Sequence, residues 1–194
     1  MLAVILCGGK STRMGSDKGL LKLHANTWAR TAADKMEQLN VQVVLSVNAA
    51  QFKDYAEVFD ATQLIIDDAG LDIHGPLAGV LSIHEKYPAE DLFVFACDMP
   101  LMDISILEQL FENYQKHLTA DAFAFTNEGA PEPLCAIYKA TGLAHILELY
   151  RKSLLTKHSM KFMLEHINTQ LTPLTTEQQK YFRNFNAHAE LNGL

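Results

Sequence analysis

Cysteine, tryptophan and proline are scarce in this 194-residue chain, which holds three, one and six of them. Cys7, Cys97 and Cys135 are far apart, and no CxxC pair or Cys/His cluster of zinc spacing occurs. Those absences exclude a disulfide scaffold and a structural zinc site, and they fit reduced thiols in a cytoplasmic setting. No apolar run approaches the ~20 residues that span a bilayer. Leu2 to Cys7 is too short for a secretory core, and its cations follow it instead of preceding it, so no membrane partner is expected. Repeats, low-complexity tracts and linkers are missing too, and one domain over residues 1–194 is expected. The eight histidines show no ligand spacing, which leaves no support for a histidine base. Net positive charge is also lacking. The chain carries −7, which argues against nucleic-acid binding. Its cations are nonetheless concentrated: residues 1–22 hold Lys10, Arg13, Lys18 and Lys22 against Asp17 alone. A cationic patch in an acidic protein suits a small anionic ligand.

That patch lies in the stretch on which the chain turns, LAVILCGGKSTRMGSDKGLL, Leu2 to Leu21. The aliphatic run Leu2–Leu6 reads as a strand buried on both faces of a parallel sheet. Gly8 and Gly9 then allow the backbone to approach a ligand, and exposed N–H groups in such a turn bind anions. Two familiar phosphate motifs fail. Gly9-Lys10-Ser11 resembles the tail of a Walker A motif, but the glycine needed four residues before its Gly-Lys pair is Val4. Gly8, Gly9 and Gly15 do not fit Gly-x-Gly-x-x-Gly. The loop is a polyphosphate-binding loop of another kind.

Further along, Thr27–Leu39 reads as a helix and Val41–Val47 as a strand ending at Asn48. Gln51–Glu57 reads as a short helix, and Leu64–Ile66 as a strand closed by Asp67-Asp68. Gly75-Pro76-Leu77-Ala78-Gly79 opens a helix to about Lys86. Leu92–Ala96 is a buried strand ending in Cys97-Asp98-Met99-Pro100. Asp103 caps a helix to about His117. Strands follow at Asp121–Phe125 and Leu134–Tyr138, and helices at Gly142–Tyr150 and Met160–Glu165. Asn168–Leu174 is an edge strand or loop, and a short helix ends the tail between Phe182 and Leu191. Ser153–Ser159 is expected to be mobile, with Lys152, Lys157 and His158 able to meet an anion. The alternation predicts an α/β fold, a doubly wound, mainly parallel sheet with helices on both faces. Ligands gather at the carboxyl ends of such strands, so Gly8-Gly9, Asn48, Asp67-Asp68 and Asp98 should converge on one crevice.

Within it, Asp98 is the candidate metal ligand, because magnesium takes carboxylate and phosphate oxygens together. Lys18 supplies a point charge and Arg13 a planar fork for phosphate oxygens, while Asp17 can orient the lysine or cap a helix. Set against this, each acidic residue after a strand could simply form a turn, and Lys10 and Lys22 could be ordinary surface charge.

Leu6-Cys7-Gly8-Gly9, Ser11, Arg13-Met14-Gly15 and Asp17-Lys18, with Cys97-Asp98-Met99-Pro100, resemble the signatures of molybdopterin nucleotidyltransferases, and most of all the guanylyltransferases among them. The resemblance implies a Rossmann-like fold of the nucleotide-diphospho-sugar-transferase type. It also implies transfer of GMP from GTP to the terminal phosphate of molybdopterin, with Mg2+ as cofactor. Arg13, Lys18 and Asp98 would be catalytic, and Leu6, Cys7, Gly8, Gly9, Lys18, Asn48, Asp68 and Asp98 would contact the nucleotide. Asp68 is preferred to Asp67 because it stands seven residues before Gly75, as in the family. Glu132-Pro133-Leu134 resembles the family's pterin-side strand. Asn184-Phe185-Asn186 resembles its Asn-x-Asn element, although Ala187-His188-Ala189-Glu190-Leu191 departs from what usually follows. Asn184 and Asn186 are thereby pterin candidates. Molybdoenzymes or their chaperones are the implied recipients of the product. Cytidylyl transfer to the same pterin, a sugar- or polyol-phosphate acceptor, and a non-catalytic carrier stay open at this point.

Overall fold

A computed structural model describes residues 1–8, 17–23, 25–117 and 119–185. In order, the elements are β1 (Leu2–Leu6), β2 (Lys22–Leu23), β3 (Asn26–Thr27), α1 (Trp28–Glu37), β4 (Gln42–Val47), α2 (Phe52–Tyr55), β5 (Leu64–Ile66), α3 (Pro76–Lys86), β6 (Leu92–Ala96), α4 (Ile104–Lys116), β7 (Ala122–Asn127), β8 (Ala130–Tyr138), α5 (Ala140–Arg151), α6 (Met160–Leu164), β9 (Thr169–Pro173) and α7 (Thr176–Gln179). Seven strands form one sheet in the order β5-β4-β1-β6-β8-β7-β9, and β2 and β3 make a small separate ribbon. This is the expected α/β architecture.

Alternation along the strands divides the core in two. Ala3, Ile5, Phe93 and Phe95 face a layer holding Ala29 and Met36 of α1, Tyr55 of α2 and Leu107 and Leu110 of α4. Leu2, Val4, Leu92 and Val94 face the opposite layer, with Leu77 and Val80 of α3, Ile146 of α5 and Met163 of α6. Each large side chain so buried contributes about 1.5–3 kcal/mol. That drives both helical layers onto β1, whose five residues are all buried. Side-chain caps set where helices start. Thr27 accepts from the Arg30 amide at 3.1 Å, and Asp103 from the Ser105 amide at 2.9 Å.

The sheet is less parallel than the alternation alone suggests. β1 pairs in parallel with β4 and β6, β4 with β5, and β7 with β9, but β8 is antiparallel to both β6 and β7. The reason is local. Glu128 and Gly129 both have positive φ, 50° and 82°, which is the geometry of a two-residue hairpin turn. β8 also begins at Ala130, four residues before the expected Leu134. Pro131 and Pro133 argue against a strand in the sequence, but Pro131 lies opposite Thr126 of β7 and beyond Cys135, where pairing with β6 ends. β8 therefore overhangs the sheet at the end where β6 terminates. Asn168–Leu174 resolves as an edge strand, β9. Ser153–Ser159 is tied down by buried Leu155. Nearby, Lys152 pairs with Glu148 at 2.6 Å, and His158 stacks edge-on to Tyr150. The tail helix expected up to Leu191 extends outside the described residues.

Candidate nucleotide-binding site

The loops after β1, β4 and β5 enclose a cavity of about 830 Å³, walled by Leu6, Gly8, Ser46, Asn48, Asp68 and Gly79 among others. Its position follows from the parallel strands, whose ladder continues one residue past β1. The Cys7 amide donates to the Ser46 carbonyl at 3.1 Å, and the Cys97 amide donates to the Leu6 carbonyl at 3.3 Å. Cys7 and Cys97 are buried, and burial pushes the Cys7 thiol well above its ordinary pKa. They act as small core residues at strand ends.

Each acidic and amide group has its own task. Asn48 caps the turn into α2, its Oδ1 accepting from the Ala50 and Gln51 amides at 3.0 Å each. Its side chain also lines the cavity. Asp68 accepts from the Gly70 amide at 2.7 Å and donates its own amide to Ser82 Oγ at 2.8 Å. Turn formation and cavity lining thus coexist in both residues. Asp67, passed over in the sequence, also lines the cavity. Its Oδ1 accepts from Ser46 Oγ at 2.6 Å, and burial raises its pKa while that hydrogen bond opposes the rise. Gly79 makes this packing possible, since a Cβ there would stand 2.1 Å from Ser46 Oγ. Gly75, with φ 76°, starts α3 in a conformation that favours glycine.

Beside the cavity, Lys18 Nζ stands 4.0 Å from Asp98 Oδ2. Asp98 follows β6, the neighbour of β1, so the sheet order brings these two residues together across 80 positions of sequence. The Asp98 side chain is about a quarter exposed. Its Oδ1 is enclosed and has no hydrogen-bond partner among the described residues. Burial raises the Asp98 pKa, and the Lys18 charge opposes the rise. A carboxylate with one oxygen unsatisfied fits a cation, and the lysine beside it fits the phosphates of a ligand. No group of three or more His, Cys, Asp or Glu gathers elsewhere among the described residues. A divalent ion here would take one protein carboxylate and complete its shell with phosphate and water oxygens, which suits magnesium.

The Asp98 loop is braced from two sides. Lys35 of α1 donates to the Pro100 carbonyl at 2.8 Å, and the Phe185 amide donates to the Asp98 carbonyl at 3.0 Å. Phe185 is buried, so the chain just after Asn184 is docked on the Asp98 loop. Opposite lies the overhang of β8, where Asn127 donates to Glu132 at 3.1 Å and burial raises the Glu132 pKa. The structure therefore brings together Leu6, Gly8, Asn48 and Asp68 at the cavity and Lys18 with Asp98 beside it, while Cys7 is buried behind the loop and Asn184 is placed only by its neighbour Phe185. Gly9, Arg13 and Asn186 lie outside the described residues. Ser46, Gln51 and Lys35 were not singled out from the sequence, and Asp67 was placed at the crevice but not chosen as a nucleotide contact. Asp67 alone carried a signal, its place beside Asp68.

Comparison with known proteins agrees with this geometry. Residues 3–171 match the family described as the MobA-like NTP transferase domain. A molybdenum cofactor biosynthesis bifunctional protein of Synechocystis sp. is 29% identical over 153 residues, 79% of this chain and 42% of the relative. The chain thus spans less than half the length of that curated relative. Among solved structures, molybdopterin-guanine dinucleotide biosynthesis protein A from Archaeoglobus fulgidus superposes with a TM-score of 0.78 at 22% identity, covering 99% of this chain and 95% of the other. A putative glucose-1-phosphate thymidylyltransferase from Bacillus anthracis gives a TM-score of 0.71 at 12% identity, covering 99% and 93%. At these identities the two structures speak for the fold. No helix among the described residues is long and apolar enough to cross a membrane.

Proposed function

The chain belongs to the MobA-like NTP transferase family, and from that premise we propose that it transfers GMP from GTP to the terminal phosphate of molybdopterin, releasing pyrophosphate. The observation that carries the reading is the Lys18–Asp98 pair, with its unsatisfied carboxylate oxygen, on the loops that follow β1 and β6. Its neighbours support it: one relative is named for molybdenum cofactor biosynthesis, and a solved structure of similar fold for molybdopterin-guanine dinucleotide biosynthesis.

In this reading the N-terminal half of a single domain holds GTP and the C-terminal half holds the pterin. Leu6, Cys7 and Gly8 pass their backbone along the nucleotide. Asn48 and Asp68 meet the base or ribose with groups that donate or accept. A pterin phosphate oxygen attacks the α-phosphorus in line, forming one P–O bond as the bond to the bridging oxygen of pyrophosphate breaks. The nucleophile is already anionic, so no protein base is required. Lys18 neutralises charge that grows on the phosphates, and Arg13 is assigned the same task from its motif. Asp98 would hold magnesium, which when bound offsets charge on the α-phosphate and the leaving group. Asn184 and Asn186 are assigned to the pterin from the Asn-x-Asn resemblance, and the Phe185 amide bond to the Asp98 carbonyl supports Asn184. A cytoplasmic setting with reduced thiols, and delivery of the product to molybdoenzymes or their chaperones, complete the proposal.

The test is magnesium-dependent pyrophosphate release with GTP and CTP in parallel, each with and without molybdopterin. Turnover with GTP only when pterin is present is the expected result. Turnover with CTP instead would keep the mechanism and move the base. Binding without turnover would replace the enzyme with a carrier, and silence toward both nucleotides would overturn the reading.

A further inference from the structure

A network of buried polar groups joins the segment after β4 to both sides of residues 9–16. Gln51 is almost fully buried. Its Nε2 donates to the Cys7 carbonyl at 3.0 Å and also to Asp17 Oδ2. Its Oε1 accepts from the Asn48 amide at 2.8 Å, while the Gln51 amide donates back to Asn48 Oδ1 at 3.0 Å. One side chain thus holds Cys7, Asp17 and Asn48 at once. Tyr55, fully buried one helical turn later, donates its hydroxyl to Asp17 Oδ1 at 2.8 Å. The same oxygen accepts from the Gly19 amide at 2.9 Å. Gly19 is packed so closely that a Cβ would lie 2.0 Å from the Tyr55 hydroxyl oxygen. Both Asp17 carboxylate oxygens accept hydrogen bonds, so the side chain is held in one orientation.

Lys18 is the next residue, and it starts a tight turn, Lys18–Leu20, that Asp17 caps. From this we infer that Gln51 and Tyr55 are positioning residues for nucleotidyl transfer: they clamp Asp17 and thereby set Lys18 opposite Asp98. Tyr55 reaches Lys18 through Asp17, whereas Gln51 holds Asp17 and also the Cys7 carbonyl and Asn48 of the cavity wall. The inference rests on the transfer reading for its kinetic consequence but not for the clamp itself. A polar cluster of this kind would otherwise be a poor use of a buried site, because each group must be desolvated before it is paired. The clamp also explains why α2 is short and polar yet buries Tyr55. The helix is a platform for two side chains aimed at the loop after β1.

Two variants separate the clamp from general packing. Tyr55→Phe keeps the ring, which stacks on Phe59 at 6.3 Å, and removes only the hydroxyl. Gln51→Ala removes the three-way bridge. Hydrogen–deuterium exchange over residues 17–23 reads the clamp without reference to turnover. Both variants should exchange faster there, with β6 and α4 unchanged. Unchanged exchange over residues 17–23 in both variants would overturn the clamp. In pyrophosphate release, each should lose about tenfold in kcat, consistent with displacement of a charge that acts in the transition state. For Tyr55→Phe combined with Lys18→Ala, that further loss should vanish, because the hydroxyl then has no charge to position. A full, additive loss in the Lys18→Ala background would overturn the positioning role. If the unmodified chain released no pyrophosphate from either nucleotide, the transfer reading would fail, and the exchange result would still decide the clamp.

Discussion

The two sides of the sheet end differently at the crevice. On the β5-β4-β1-β6 side, every strand is parallel and runs toward the site, so each delivers a polar or glycine residue there: Asp67 and Asp68, Asn48, Gly8, and Asp98. On the β8-β7-β9 side, β8 runs the other way, and the crevice end is formed by the Glu128–Gly129 turn, the overhanging start of β8 and the tail at Phe185. Parallel strands collect their carboxyl ends in one place without further help. The antiparallel side must reach the site by overhang and by a docked tail. That difference fits the proposed division into a nucleotide side built from parallel strand ends and an acceptor side assembled from a hairpin and a C-terminal segment.

The largest test of the contrast is Asp98→Asn, at the seam between the two sides. Pyrophosphate release should fall by about 10²–10³-fold in kcat. Stability should not fall with it. The folded-state pKa of Asp98 is raised, so its ionisation disfavours the fold as pH rises through that value, and the amide removes the penalty at neutral pH. A thermal midpoint equal to or above that of the parent, with activity lost, is the expected outcome. Activity near the parent's would remove Asp98 from the chemistry.

Phe185→Ala should act on the acceptor side alone. Undocking the tail from the Asp98 carbonyl should raise KM for the pterin by about tenfold, with GTP affinity unchanged in calorimetry. A matching loss of GTP affinity would break the division between the sides. Gly79→Ala is the counterpart on the nucleotide side. Crowding Ser46 should cost about 1–3 kcal/mol in denaturant unfolding, and it should weaken GTP binding while sparing the pterin KM. The smallest effect is expected at His84 of α3, which is 2% exposed, with its Nδ1 lacking a partner among the described residues. Burial lowers its pKa in the folded state. The unfolded chain therefore takes the proton first, and stability is lost as pH falls through about 6.5. His84→Leu should flatten the denaturation midpoint between pH 7.5 and 5.5, and an unchanged slope would show that another group governs it.

Much of the nucleotide side was legible because its signals are local. Leu2–Leu6 and Leu92–Ala96 are apolar runs bounded by polar residues, and Asp103 stands directly before the helix it caps. The acceptor side was harder to read. The two prolines near the start of β8 argue for a loop unless one knows that the strand lies beyond the end of β6 at that point. Nothing in the spacing of the histidines marks out His84, which the packing of α3 encloses. Gln51 and Tyr55 sit in a segment whose composition looks solvated, and their partners Cys7 and Asp17 are 44 and 38 positions away.

The sequence by itself determined the family, the order of the elements and the end of the sheet at which the chemistry gathers. Periodicity, caps and short motifs depend on neighbours along the chain, and parallel strands need no tuning to align their ends. Only the tertiary structure decided that Lys18 meets Asp98, that Asp67 lines the cavity along with Asp68, that β8 turns back, and that Gln51 bridges Cys7, Asp17 and Asn48. Those are contacts between distant segments. Their geometry depends on sheet order and on how closely helices pack, which no single stretch of the chain encodes.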